Sequence, residues 1–250
     1  IHKAKQGFYK IIDDQKTLQK IKIFAKENKY SFNYIVVLGI GGSALGAICL
    51  QQALKHLFQN ELKTSPKLYV LDNIDPNLIR EIENVIDYKK TLFIVITKSG
   101  ETIETLSQYK YFRYKIEQAK LPLKNHFVFI TDPKKGQLRK LAKQEKIETF
   151  DIPPDVGGRF SVLTSAGLLP AALLGIDIEN LLHGARKMRS QFLSTNFEKN
   201  SPFQFAAIQY LLSKKGKNIN VLMPYSQKLI RLADWYRQLL AESIGKKFNR

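Results

Sequence analysis

The chain has 250 residues, 44% of them hydrophobic, enough for a sizeable core in one large or two smaller domains. Forty Lys and Arg against 22 Asp and Glu give a formal net charge of +18, which suits an anionic partner without choosing its class. The basic residues are scattered rather than blocked, and no aromatic RNA-binding signature accompanies them, so a lysine-rich solvated surface is expected and a nucleic-acid interface is not.

Taken in chain order, the first residues, IHKAKQ, contain neither an initiator Met nor the apolar segment of a signal peptide. Residues 1–29 read as helical and amphipathic, with Leu18, Ile21 and Phe24 at helical spacing among lysines. Short β-rich runs then recur at 34–40, 67–72, 91–97, 126–131 and 148–152. Helical segments fall between the first four at 45–58, 76–87 and 102–119, and another at 136–145 precedes the fifth. This alternation predicts an α/β fold, a doubly wound parallel sheet with helices on both faces, whose ligands sit at the carboxyl ends of the strands. Cys49 stands alone, which excludes an internal disulfide and fits a reducing cytoplasm.

The uncharged stretch 160–176 is interrupted by Ser161, Thr164, Ser165, Gly167 and Pro170, and reads as a buried helix rather than a membrane span. Residues 157–184 form a turn and a core helix, and 203–214 another helix. Residues 220–224 then resemble a new strand, followed by a strong helix over 227–245. A lone strand and helix cannot bury two sheet faces, so a second, similar α/β domain is expected to begin here and be truncated. The expected division is 1–33 as an amino-terminal helical segment, 34–185 as the first domain and 186–250 as linking helices and the start of the second. With no Met at position 1, a fragment at both ends is expected.

Two of the predicted strands run directly into phosphate-cradle candidates. After the first comes GIGGSALG, where Gly39, Gly41 and Gly42 let the backbone approach a ligand and the following helix offers unpaired N–H groups near Ser43 and Ala44. The same residues match a dinucleotide fingerprint. Asp72, however, follows Ala44 by 28 residues, beyond the spacing of about 20 that a ribose-binding acid takes. After the third strand comes TKSGETIETL, whose Thr97, Ser99 and Thr102 add hydroxyls and whose Lys98 adds a cation. Helix capping accounts for Ser99 and Thr102 singly but not for the four together. A nucleotide fold needs no second cradle, whereas a compact phosphate held between two loops uses both.

Further on, DVGGRFSVLTSAGLLP places Arg159 beside the room left by Gly157 and Gly158, either to stabilise a developing oxyanion or to pair with Asp155. In KLIRLADWYRQLLAESIGK, Leu229, Leu232, Ala233, Tyr236 and Leu240 share one arc at about 100° per residue. Arg231, Trp235, Gln238 and Glu242 share the opposite arc. Either that arc lines a cleft, with Gln238 and Glu242 pointing into it, or Glu242 makes an exposed pair with Lys246.

Together, GIGGSALG, TKSGETIETL, VGGRFSVLTSAGLLP and WYRQLLAESIGK resemble the glucose-6-phosphate isomerase family, in its order and approximate spacing, over residues 34–246. The resemblance implies two sugar-isomerase domains of flavodoxin-like type. Gly42 and Ser43, with Thr97, Lys98, Ser99, Gly100, Glu101 and Thr102, match the phosphate-binding segments. Gly158 falls in the substrate site beside Arg159, which matches the arginine that stabilises the enediolate. Gln238 matches a substrate-contacting glutamine, and Glu242 the base that shuttles the proton between C2 and C1. Glu101 would repel a phosphate dianion, so its side chain is expected to point away while its backbone contributes.

The family's ring-opening histidine, given across the dimer interface, and its late lysine have no matching motif here. The four histidines, His2, His56, His126 and His183, show no ligand spacing, so neither metal nor redox cofactor is expected. The implied activity is interconversion of glucose 6-phosphate and fructose 6-phosphate in glycolysis and gluconeogenesis. The implied setting is cytoplasmic, as a homodimer in the intact protein, with no nucleic-acid or membrane partner. A non-enzymatic sugar-phosphate-sensing domain is the alternative. It would need the two loops but not Arg159 or the Gln238–Glu242 face, and a regulator of that kind would add a nucleic-acid-reading helix that this sequence does not show. A nicotinamide oxidoreductase is third.

Overall fold

Ile35-Val36-Val37-Leu38 and Leu92-Phe93-Ile94-Val95-Ile96 are apolar at every position, so a strand made of either must be covered on both faces. The computed structural model describes residues 7–63 and 66–245 and covers them in that way. Strands β1 (Tyr34–Leu38), β2 (Lys67–Leu71), β3 (Thr91–Ile96), β4 (Phe127–Thr131) and β5 (Glu148–Asp151) form one parallel sheet in the order β2-β1-β3-β4-β5. Ten α-helices are described: α1 (Gln15–Glu27), α2 (Gly42–Leu54), α3 (Pro76–Glu83), α4 (Ile103–Gln118), α5 (Leu123–His126), α6 (Gln137–Glu145), α7 (Ser165–Leu173), α8 (Ile178–Phe192), α9 (Ser201–Lys214) and α10 (Ile230–Ile244).

Alternate residues of each strand feed two cores. Ile35, Val37, Leu92, Ile94, Ile96, Val128 and Ile130 pack with side chains of α1, α2, α7 and α8. Val36, Leu38, Phe93, Val95, Phe127 and Phe129 pack on the other face with α3, α4 and α6. The amino-terminal segment belongs to the first of these cores through Ile12, Leu18 and Ile21. Arg186 Nη1 donates to the Ile12 carbonyl at 2.9 Å, and Arg189 donates to the Tyr9 carbonyl at 3.0 Å and to both carboxylate oxygens of Asp13. Cys49 is buried in α2, and burial pushes its thiol up to about 11, so it stays protonated and unreactive at neutral pH.

Local signals account for several helix starts. Asp14, Asp75 and Asp177 cap α1, α3 and α8 through side-chain oxygens, and α3 carries a Pro in its first turn. The predicted buried helix of the 160–176 stretch exists as a 3₁₀ turn (Gly158–Leu163) followed by α7, which is buried along nearly its whole length although Pro170 lies inside it. No helix of the described residues is long and apolar enough to cross a membrane.

One expectation is corrected. Residues 220–224 form no strand: Val221 and Met223 are 68% and 65% exposed. A strand exists only within a ladder, and among the described residues nothing pairs with this one. Helix α10 has no buried residue, and Leu232 and the preceding Leu229 are exposed. Helix α9 likewise has no buried residue, and Phe203, Phe205 and Ile208 are uncovered among the described residues.

Asp13 is held below the ordinary carboxylate range, chiefly by its hydrogen bond from Arg189. A carboxylate depressed in the folded state contributes stability above its unfolded value and loses it as pH falls through the folded one. Asp13→Asn is therefore expected to lower the urea midpoint above about pH 5, with the difference between the two proteins shrinking as pH falls below the ordinary carboxylate range, when both are titrated in parallel.

Candidate active site

In a sheet ordered β2-β1-β3-β4-β5 the winding reverses between β1 and β3, and the crevice outside their carboxyl ends is the natural ligand site. Both candidate loops lie there, residues 39–42 after β1 and 97–102 after β3. A dinucleotide fold would instead place β1 between β2 and the fourth strand, so the sheet order gives no support to a dinucleotide reading of Gly39, Gly41 and Ala44.

The first loop is held by close backbone approach. Gly41 takes φ 54° at the amino end of α2, and no side chain caps that end. A Cβ on Gly42 would collide with the Gly158 carbonyl. Ser161 Oγ reaches both strands of this contact, at 2.7 Å from the Gly158 carbonyl and 3.2 Å from that of Gly42. Ser43 sits half-buried in the first turn of α2, and its hydroxyl has no partner among the described residues.

In the second loop Thr97, Ser99 and Thr102 bring their hydroxyls together. Thr97 Oγ1 lies 2.6 Å from Thr102 Oγ1 and 3.3 Å from Ser99 Oγ. Thr102 stands at the N-cap position of α4, yet its side chain makes no capping bond. The amino ends of α2 and α4 therefore both lack a side-chain cap at the switch point, the arrangement that suits a bound anion. Gly100 takes φ 71° and packs against Gly136. The Glu101 N–H donates to Ser99 Oγ at 3.1 Å while the residue is exposed. Lys98 is not a free cation: its Nζ donates to the Pro154 carbonyl at 2.9 Å, linking this loop to the one that carries Arg159.

Helix α10 closes the arrangement. Gln238 reaches the first loop, where a Cβ on Gly41 would lie 2.9 Å from Gln238 Nε2. That same nitrogen donates to Glu242 Oε1 at 2.8 Å, one turn along the helix. Glu242 Oε2 faces Arg159 Nη1 at 3.6 Å, and Arg159 Nε donates to Ser243 Oγ at 2.9 Å. Arg159 thus pairs with Glu242 and not with Asp155, and Glu242 meets its partners within the cleft; Lys246, its alternative partner, lies outside the described residues. Glu242 is 48% exposed at its side chain against 19% for Arg159, so the carboxylate is open to solvent while the arginine is largely enclosed. The Gln238 Oε1 atom is buried and has no hydrogen-bond partner among the described residues.

All the predicted site residues lie on these three units: the paired loops, the Gly158–Arg159 turn and α10. Ser161 and Ser243 were not singled out from sequence, although each stands beside or near a residue that was. Among the described residues no group of three or more His, Cys, Asp or Glu side chains gathers as a metal site. A cavity of about 790 Å³ at the amino ends of β1 and β2, lined by Lys26, Tyr34, Lys67 and Leu173, shares no residue with this cleft.

The contact at Gly42 admits no methyl group, because its neighbours are backbone atoms that cannot swing aside. Gly42→Ala is expected to destabilise the protein by about 1–3 kcal/mol and to weaken phosphate-ester binding, as read by thermal unfolding with and without ligand.

The sequence matches the family model described as Phosphoglucose isomerase over residues 17–250. It is 47% identical over 257 aligned residues to the glucose-6-phosphate isomerase of Carboxydothermus hydrogenoformans, an alignment covering 99% of this chain and 55% of that protein. A hypothetical protein from Thermus thermophilus superposes with a TM-score of 0.88 at 35% identity, covering 98% of this chain and 56% of the other. A glucose-6-phosphate isomerase from Chlamydia trachomatis superposes with a TM-score of 0.78 at 24% identity over 93% of this chain and 44% of the other, a likeness of fold. The chain spans about half the length of the curated relatives it matches. Since the family match takes in both loops, Arg159 and the whole of α10, the chain belongs to the phosphoglucose isomerase family.

Proposed function

We propose that the full-length protein interconverts glucose 6-phosphate and fructose 6-phosphate through an enediolate, and that the residues gathered at the switch point perform it. The observation that carries this reading is the contact of Glu242 with Arg159 and Gln238 directly beside the glycine loop. A phosphate-binding module would need the loops alone. A carboxylate next to a guanidinium, within reach of a bound sugar, adds a base and an electrostatic partner for the charge that the base creates.

In this reading the phosphate sits against Ser43, Ser99 and Thr102 and the positive amino ends of α2 and α4, with the Gly42 and Gly100 backbones close by; in α2 the Ser43 and Ala44 N–H groups already donate to the Ile40 and Gly41 carbonyls, which leaves the Gly42 N–H for the ligand. Lys98 adds charge at longer range while it holds the Pro154 loop. Glu101 contributes its backbone, its side chain being turned to solvent. With the phosphate anchored, C1 and C2 of the open-chain sugar lie towards α10. Glu242 removes the C2 proton of the aldose and returns it to C1, and with the O2 hydroxyl proton passing to O1 the enediolate becomes the ketose. Positioned proton transfer of this kind contributes about 10²- to 10⁴-fold.

As the proton leaves, negative charge grows on the sugar oxygens, and Arg159 stabilises it from an enclosed position where water screens little. Gln238 orients Glu242 through its Nε2 and keeps Oε1 free to accept from a sugar hydroxyl. Gly158, with open space at its Cα, leaves room for the substrate chain beside Arg159. Ring opening falls to groups that this sequence does not match. A homodimeric, cytoplasmic protein belongs to the same proposal, and the single buried Cys49 suits a reducing compartment.

Exchange of the C2 hydrogen of glucose 6-phosphate with deuterated solvent tests the assignment. The full-length protein is expected to exchange it and to form fructose 6-phosphate, and folded Glu242→Gln to lose both by about 10²-fold or more. Binding of the sugar phosphate without any exchange in the unaltered protein would sink the enzyme reading.

A further inference from the structure

The arginine of the site is supported by a segment that lies outside the residues matched by the family model. The Gly7 N–H donates to the Asp155 carbonyl at 2.9 Å, and a Cβ on Gly7 would collide with the Asp155 carboxyl group. A side chain on residue 7 would fit there only with the Asp155 carboxyl group swung aside. This approach lays Phe8 on Phe160, with ring centroids 4.7 Å apart and 15° between the planes. The Arg159 guanidinium lies 4.6 Å from the centroid of that same Phe160 ring. Downstream, Arg186 and Arg189 of α8 fix the segment through the Ile12 and Tyr9 carbonyls and Asp13.

We infer that Phe8 is a positioning residue for the isomerisation: it holds Phe160, and Phe160 holds the plane of the Arg159 guanidinium against the developing enediolate. This rests on the isomerase reading. Without Phe8, the Phe160 ring loses a stacked neighbour and gains room to rotate, and the arginine keeps only the Ser243 hydroxyl and the Glu242 carboxylate to orient it. The charge that Arg159 meets is fully grown only near the transition state, so its misplacement acts on turnover more than on substrate binding.

The test uses the full-length protein and steady-state isomerisation. Phe8→Ala is expected to lower kcat about 10- to 100-fold and to change KM by no more than about twofold, while Phe8→Tyr, which keeps the ring, retains the unaltered kcat. Should the alanine variant fail to fold, Phe8→Leu keeps the bulk and removes the stacking plane, and the same kcat loss is expected of it. In an Arg159→Lys background, where no planar guanidinium remains to be aligned, Phe8→Ala is expected to cost no more than about twofold further. An equal loss in both backgrounds, a rise in KM at constant kcat, or a folded Phe8→Leu protein with unaltered kcat would overturn the positioning role. Absence of isomerisation in the unaltered protein overturns the enzyme reading and this role with it, whereas activity that is indifferent to Phe8 overturns this role alone.

Discussion

The meeting of two backbones, at Gly42 and Gly158, is the constraint on which the site depends. Neither chain could approach if Gly42 carried even a methyl group, and Ser161 bridges both carbonyls once the approach is made. The first loop, which belongs to the sheet, is thereby locked to the turn that carries Arg159. Helix α10 then packs on α2 and the same turn, bringing Gln238 onto Gly41 and Glu242 to Arg159. A strand end, a loop and a helix drawn from distant parts of the sequence are joined by contacts that leave little freedom in their relative placement.

The sheet supplies the other half of the explanation. Its strand order opens a crevice between the carboxyl ends of β1 and β3, and both following helices begin there without a side-chain cap. The amino end of each helix is a fixed positive end, and the cluster of Thr97, Ser99 and Thr102 hydroxyls stands at that of α4. An anion bound there satisfies donors that would otherwise face water. In the proposed reading the fold offers a phosphate site before any charged side chain is counted, which leaves Lys98 to serve as a strut to Pro154.

What was legible in the sequence was whatever depends on near neighbours. The unbroken apolar runs of β1 and β3 required cover on both faces, the two loops announced themselves by glycine and hydroxyl content, and Gln238 and Glu242 shared a face through helical spacing alone. The strand expected at 220–224 fails for the complementary reason: its residues are suitable, but a strand needs a partner, and the described residues provide none. The pairing of Arg159 likewise could not be chosen between Asp155 and Glu242, because that choice rests on where α10 lies. Phe8 left no signal at all, since an aromatic residue in an amino-terminal segment acquires its meaning only when Gly7 docks on Asp155.

The central claim is that one crevice both anchors the phosphate and presents C1 and C2 to Glu242 and Arg159. A crystal structure of the full-length protein with fructose 6-phosphate bound tests it most directly. The account predicts phosphate oxygens within about 3 Å of Ser43, Ser99 or Thr102 and of amide nitrogens at the start of α2 or α4, with the reacting carbons beside Glu242. A sugar phosphate seated elsewhere, such as the lysine-lined cavity at the opposite ends of the strands, or one whose C1 and C2 point away from α10, would contradict it.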